Sequence, residues 1–455
     1  MKHKSMIAIV GVLCFLVPVM FAGCDSPVSP DDPDPDSTDE EQDDPEKILP
    51  SSQEVFAELL DLLAEIDFDG NPVEEILAME DGLQEARDGF DAVLQSDAND
   101  PLANVGVAVL IVVQRAYADP FDHFLSTQLW SDLDEMLEGD PAPFDVLDLL
   151  WPDSVRSIGA IQDELGSIDD ALAEAVSHLA VAVEHFDDPI EIEIIIDGGN
   201  DDPVRVVLDQ PEIEVFQAAA AAARIPIIMA QIYDFEVYDN NDDPIDLPEF
   251  LGTLIELGMD EQFDEIEEQF ATRALNALRS ETFLTRRAGG PSPGDARTVL
   301  IEALTAAKSA HEGLMKRDFE ADDYLIPGEE LPEEILDEIN EDLENLGITE
   351  EITGLADLAY LLIEMVNGNT VLTLAKEDLE LEEDLEINIG AFFDYDDDLR
   401  EWLPERSLFD DIDDTQEPDE IAEALFNVFM NEGKWPDLTF GGIFDPEIEL
   451  PQDEG

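Results

Sequence analysis

Three polar residues recur every seventh position in an otherwise apolar run. They are Gln217, Arg224 and Gln231 within "EVFQAAAAAARIPIIMAQIYDF". Seven residues is close to two helical turns, so the three would share one narrow stripe. A guanidinium between two amides can clamp a carboxylate or another anion, because its planar fork meets two oxygens at once. The competing expectation is a stripe at the edge of the core, with Arg224 paired to one of the chain's many acids.

Calcium is the second chemistry to test. "DYDDDLREWLPE" sets Asp394, Asp396, Asp398 and Glu405 at the spacing of the first, third, fifth and twelfth ligands of an EF-hand-like loop. The glycine needed for the sharp turn is replaced by Leu399, and Pro404 interrupts the exit. Asp318, Glu320, Asp322 and Glu329 repeat the spacing, again without the glycine. In so acidic a chain such a pattern arises about once in 250 starts, so about two chance hits are expected. Two are found, which leaves these acids as weak calcium candidates only.

Other constellations fail on their chemistry. Gly290-Pro291-Ser292-Pro293-Gly294 fits the G-x-S-x-G string of serine hydrolases. The residue after that serine must give its backbone N–H to the oxyanion, and Pro293 has none. The string is expected to be a loop. His178 and His185 stand seven apart on an expected helix, about 10.5 Å in rise, which is too far for one metal. Glu174 and His178 share a helix face as a single pair. His123 and His311 stand in no ligand pattern, and no cysteine cluster exists. Nor is there a glycine-rich phosphate cradle. Carboxylates are so abundant that none stands out as a general acid or base. No cofactor is expected, and no enzyme activity.

The elements that would position these groups sit in an extreme electrostatic setting. The 455 residues carry 115 Asp+Glu against 20 Lys+Arg, a net charge of -95. The hydrophobic fraction is 44%, enough for a core, which separates the chain from disordered acidic sequences. Such a surface repels itself in dilute buffer. At about 1 M salt the Debye length falls to about 3 Å and the repulsion fades. A folded body adapted to salty water is the simplest reading; divalent-cation binding and general low-pI solubility are the alternatives. Nucleic acid is excluded as a partner, because phosphate recognition needs clustered cations.

The N-terminus is a targeting segment. Lys2 and Lys4 precede an apolar run, Met6–Ala22, which stops at Gly23-Cys24 and gives way to Pro, Ser and acid. Phe21-Ala22-Gly23-Cys24 resembles the signal of bacterial lipoproteins, departing at Phe21, where that family usually has Leu. The resemblance implies removal of residues 1–23 and acylation of Cys24, for instance with palmitate, as the membrane anchor. Cys14 lies in the segment to be removed, so Cys24 is left without a disulfide partner. Residues 24–50 then form a tether that Pro and like charge keep extended. An exported protein on a bacterial membrane follows, periplasmic or on the outer surface. Asp25 leaves inner and outer membrane both open.

From Ser51 the period is helical. "SSQEVFAELLDLLAEI" aligns Val55, Leu59, Leu62, Leu63 and Ile66. Ala78–Leu94 continues, then "SDAND", then an apolar helix. Ala86, Phe90, Val93 and, after the loop, Ala108 resemble one helix pair of the tetratricopeptide type. That likeness implies α-solenoid-like packing, although no clean second copy stands at a 34-residue period. Ser154–Phe186 is helical. "PIEIEIII" and "VRVVL" alternate around "DGGNDDP", the signature of a hairpin. Glu214–Phe235 reads as a central helix that Pro226 kinks or ends. Helices follow over about Leu247–Phe283, Ala296–Lys316 and Leu331–Val366. "NTVLTL" and "LEINIGAFF" suggest a second small hairpin, and "RRAGGPSPGDA" a subdomain boundary.

The expected fold is mainly α: an irregular helical array, α-solenoid-like, with one or two small β-hairpins. Its regions are a helical stretch over 51–186, hairpin and central helices over 187–289, a second helical stretch over 290–430 and an irregular tail over 431–455. Trp435, Phe440, Ile443 and Phe444 in that tail would dock on the body or on a partner. Address, solvent and architecture are legible; a reaction is not. The expectation is a binding or scaffolding module held to the membrane by the lipid on Cys24, with another envelope protein or peptide as partner. The alternative is a lipoprotein that captures a substrate or divalent cation.

Overall fold

The computed structural model describes residues 51–64, 72–115, 152–186, 189–194, 204–238, 243–259, 263–317, 333–374, 385–395, 397–412 and 418–431. Residues 1–50, where the targeting segment and the tether are expected, and residues 432–455 of the expected tail lie outside them. Among the described residues are thirteen α-helices and two two-stranded antiparallel sheets, so the chain is mainly α with small hairpins.

Helices α1 (Ser52–Ala64), α2 (Pro72–Ser96) and α3 (Pro101–Arg115) pack on one another in chain order, and α4 (Ile158–His185) packs on α3. Local chemistry sets their starts. Ser51 and Glu54 exchange side-chain and backbone bonds at 2.8 and 3.3 Å, a capping box before α1. Asp100 accepts the Ala103 N–H at 2.8 Å at the start of α3, and Ser52 Oγ donates to the same carboxylate at 3.1 Å, tying α1 to the "SDAND" turn. Ala86, Phe90, Val93 and Ala108 are all buried. The Phe90 ring lies directly on Gly106, where an added Cβ would stand 2.2 Å from its Cζ. Only a bare backbone lets α2 and α3 approach that closely.

Strands β1 (Ile190–Ile194) and β2 (Val204–Leu208) pair from Ile190↔Leu208 to Ile194↔Val204. This register puts Ile190, Ile192, Ile194, Val204, Val206 and Leu208 on one face, and Leu208 joins the core of the first four helices. Helix α5 (Gln210–Gln231) follows at once, started by a capping box between Asp209 and Glu212. It is long and apolar enough to cross a membrane by length and composition, yet it packs between α4 and α8 (Pro293–Leu314). Pro226 does not end α5, which runs through it to Gln231. The proline ring lies on the exposed side, while Ala221 and Ile228 hold the neighbouring turns in the core.

The segment "RRAGGPSPGDA" lies against the end of α5. The Arg287 N–H donates to Ile232 O at 3.0 Å, and a Cβ on Gly290 would meet Gln231 O at 2.7 Å, so the segment is bound to the end of the central helix. The serine-hydrolase-like string proves to be a helix start. Ser292 caps α8 in a capping box with Asp295, and Pro293 takes the first turn, where its missing N–H costs nothing.

Helix α10 (Leu355–Val366) packs on the far side of α8, with α9 (Glu333–Asn345) beside it in a separate apolar cluster. The expected second hairpin is present as β3 (Leu372–Leu374) and β4 (Leu385–Ile387). Its "GAFF" portion, however, turns into a short helix, α11 (Ile389–Asp394), capped by Asn388. A further cluster joins α7 (Phe263–Arg279), which follows α6 (Leu247–Met259), to α12 (Arg406–Asp410) and α13 (Pro418–Asn431) around Leu275, Phe409 and Ile421.

Candidate functional site

The Gln217, Arg224 and Gln231 stripe is the first place to look. The Arg224 guanidinium meets Asp169 of α4 through two parallel bonds, Nε to Oδ1 at 2.8 Å and an Nη2 bond to Oδ2 at 3.2 Å. Both side chains are largely buried. Gln231 donates to Ile227 O at 3.0 Å, and its Oε1 stands 3.0 Å from where a Cβ of Gly166 would lie. Gln231 is buried and Gln217 half-buried. At Arg224 and Gln231 the stripe therefore meets α4, and the clamp is closed on the protein's own carboxylate.

The described acids of the first calcium-like loop, Asp394, Asp398 and Glu405, are not brought together as ligands. Asp394 ends α11 and pairs with Arg297 at 2.7 Å. Asp398 accepts the Arg286 N–H, and Glu405 precedes α12. Asp396 and the loop with Asp318, Glu320, Asp322 and Glu329 lie outside the described residues. No group of three or more His, Cys, Asp or Glu able to hold a metal occurs among the described residues.

His178 does have a built surrounding. Its Nδ1 lies 2.7 Å from the Oδ1 of buried Asn104, whose amide donates to Ala98 O at 3.2 Å and Asp100 O at 2.8 Å. Because Asn104 fixes its oxygen toward the ring, Nδ1 carries the proton. Burial lowers the imidazole's affinity for a second proton; Glu174 opposes this, Arg87 reinforces it and Asp91 opposes it, and the net direction is downward. A base whose folded value lies below its unfolded value stabilises the fold above the unfolded value. That contribution is lost as pH falls from about 6.5 toward the folded value. In His178→Gln the denaturation midpoint is expected to lose this component of its slope below pH about 6.5, compared in urea titrations at fixed salt.

Arginine is the common thread of the described polar contacts. Arg87 reaches Glu174 from α2, Arg115 pairs with Glu164 between α3 and α4, and Arg156 forks onto Asp246 before α6. Arg287 pairs with Asp163, and Arg317 pairs with Asp209 across the β2–α5 junction. Two more hold helix ends. Arg279 donates to Phe409 O at 3.0 Å, and Arg400 donates to Leu278 O at 2.7 Å while lying 5.9 Å over the Phe409 ring. Burial lowers the Arg400 guanidinium, and Arg406 adds to this. The scarce cations thus join one element to another.

One surface cavity, of about 380 Å³, lies between the C-terminal turn of α10 and the start of α11. Asn367 and Gly368 supply one side, Asn388, Gly390 and Ala391 the other, with Asp394 and Tyr395 as a wall. Gly368 takes a φ of +72°, and a Cβ on Gly390 would stand 2.3 Å from its N. Two glycine backbones thus meet in a contact that leaves no room for a Cβ on Gly390. Sequence reasoning missed this cavity; its only trace is an Asn-Gly turn and a second Asn cap separated by a hairpin. No family model, curated protein or solved structure matches this chain.

Proposed function

We propose that this protein is an exported, lipid-anchored envelope protein that works in salty water as a binding or scaffolding module. The observation that carries the reading is Phe21-Ala22-Gly23-Cys24, set where an apolar run reverses into Pro and acid. The helical body is compatible with it. Helices α1 to α5 pack each on the next, α8 and α10 extend the row, and this α-solenoid-like order supports a surface suited to another envelope protein or peptide. The distribution of charge narrows the partner. Described arginines tie elements together, so the face left to a partner is dominated by acid, which favours cationic or neutral partners over anionic ones.

Two measurements test the reading. Labelled palmitate is expected on the full chain in a lipoprotein-processing bacterium and absent from Cys24→Ser, which moves from the membrane pellet to the soluble fraction. Label retained by Cys24→Ser sinks the anchor. Pull-down from envelope extracts at molar salt is expected to recover a defined protein partner. Turnover of a small substrate with no partner recovered sinks the scaffold.

A further inference from the structure

We propose that the cavity between α10 and α11 is a binding site for a neutral polyhydroxylated molecule, a sugar unit or a polyol. The inference needs only this cleft and stands apart from the anchor and from any protein partner.

Size and floor come first. About 380 Å³ falls at the small end of ligand sites, which run from about 300 to 1,000 Å³. Gly368 and Gly390 line the cavity where the two backbones meet, a Cβ on Gly390 having no room against the Gly368 N. The lining then sets the chemistry. Asn388 uses its carbonyl oxygen on the Ala391 N–H at 3.3 Å, which leaves its NH₂ as the group it offers a ligand. Asn367 is exposed and brings both a donor pair and an acceptor. Asp394 meets Arg297 through Oδ1, and its second oxygen remains an acceptor. Tyr395 completes the wall, with its hydroxyl engaged with Asp398 O at 3.3 Å. Amide donors beside a carboxylate acceptor match hydroxyl groups, each of which accepts one bond and donates another. An aromatic ring suits the C–H face of a sugar.

The alternatives are weaker on the same facts. An anion meets the Asp394 carboxylate and a chain of net charge -95, with Arg297 already paired. A metal cation finds a single carboxylate in the lining. An apolar ligand would cover the amides and the carboxylate without giving them hydrogen-bond partners.

The test is titration calorimetry on the full chain in molar NaCl. The neutral probes are sorbitol, glucose and N-acetylglucosamine, and the anionic control is gluconate. Cosedimentation with purified peptidoglycan sacculi supplies the polymer arm. Saturable binding of a neutral probe, with the anionic gluconate at least tenfold weaker, is expected. Saturation by a free probe identifies a soluble sugar or polyol, and retention on sacculi without it identifies a glycan sugar unit. Asn367→Leu and Tyr395→Ala are each expected to weaken binding about tenfold with unchanged circular dichroism. No saturation by any neutral probe together with no retention on sacculi overturns the site. So does affinity unchanged in both variants, or equal binding of gluconate.

Discussion

Replacing Arg317 with alanine is expected to cost the fold about 3–5 kcal/mol, and to cost as much at about 3 M salt as at about 1 M, where the body is folded in both. Arg317 follows α8 and reaches back to the junction of β2 and α5. Its Nε donates to Asp209 Oδ2 at 2.9 Å, its Nη2 pairs with the other Asp209 oxygen, and Glu212 Oε1 stands 3.5 Å away. The Arg317 side chain is 7% exposed, Asp209 11% and Glu212 0%. Both acids already serve the start of α5. The Glu212 N–H donates to Asp209 Oδ1 at 3.3 Å, and the Asp209 N–H donates to Glu212 Oε2 at 3.1 Å. Alanine would leave two adjacent carboxylates buried without their main counter-charge. Lysine restores charge without the fork and is expected to recover only a fraction of the loss. Arg317→Met combined with Asp209→Asn and Glu212→Gln removes the stranded charge and is expected to recover more than lysine does. Denaturant midpoints at two salt concentrations read the result. A loss that fades as salt rises would mark the group as an ordinary surface pair, because buried pairs are screened far less.

This junction also shows where a sequence stops speaking. The Asp209–Glu212 box is local, three residues apart, and so is Ser292–Asp295. Signals of that kind, with the apolar period and the Ile/Glu alternation of β1, made the helices and the hairpin legible. Pro226 was legible as a breaker, but packing against α4 and α8 carries α5 through it. Partnership is not local. Arg224 and Asp169 are 55 residues apart, Arg317 and Asp209 are 108 apart, and with about a quarter of the chain acidic no spacing could choose among the candidates. The polyol cavity was hidden for the opposite reason. Asn367, Asn388 and Tyr395 carry no shared motif, and only the β3–β4 hairpin folds their segments together.

Salt is expected to decide whether the body folds at all. With 115 acids against 20 Lys+Arg, most carboxylates have no cation to pair with, and the described arginines are engaged between elements. Self-repulsion therefore acts against a stability that for a typical domain is only about 5–15 kcal/mol. On dialysis from about 2 M NaCl to about 0.05 M, where the Debye length grows from a few ångströms to more than 10 Å, helical circular dichroism is expected to collapse cooperatively. It is expected to return when salt is restored. Three additions separate the causes. Sodium sulfate and sodium chloride at equal ionic strength restore the fold about equally if screening dominates. Sucrose strengthens burial without supplying ions, and is expected to restore much less. Calcium or magnesium at millimolar level contributes little screening, so full recovery on adding either would overturn the screening account. It would show that specific cations hold the acidic surface together, as in the cation-capturing alternative. A body that keeps its helices unchanged in dilute buffer would overturn both.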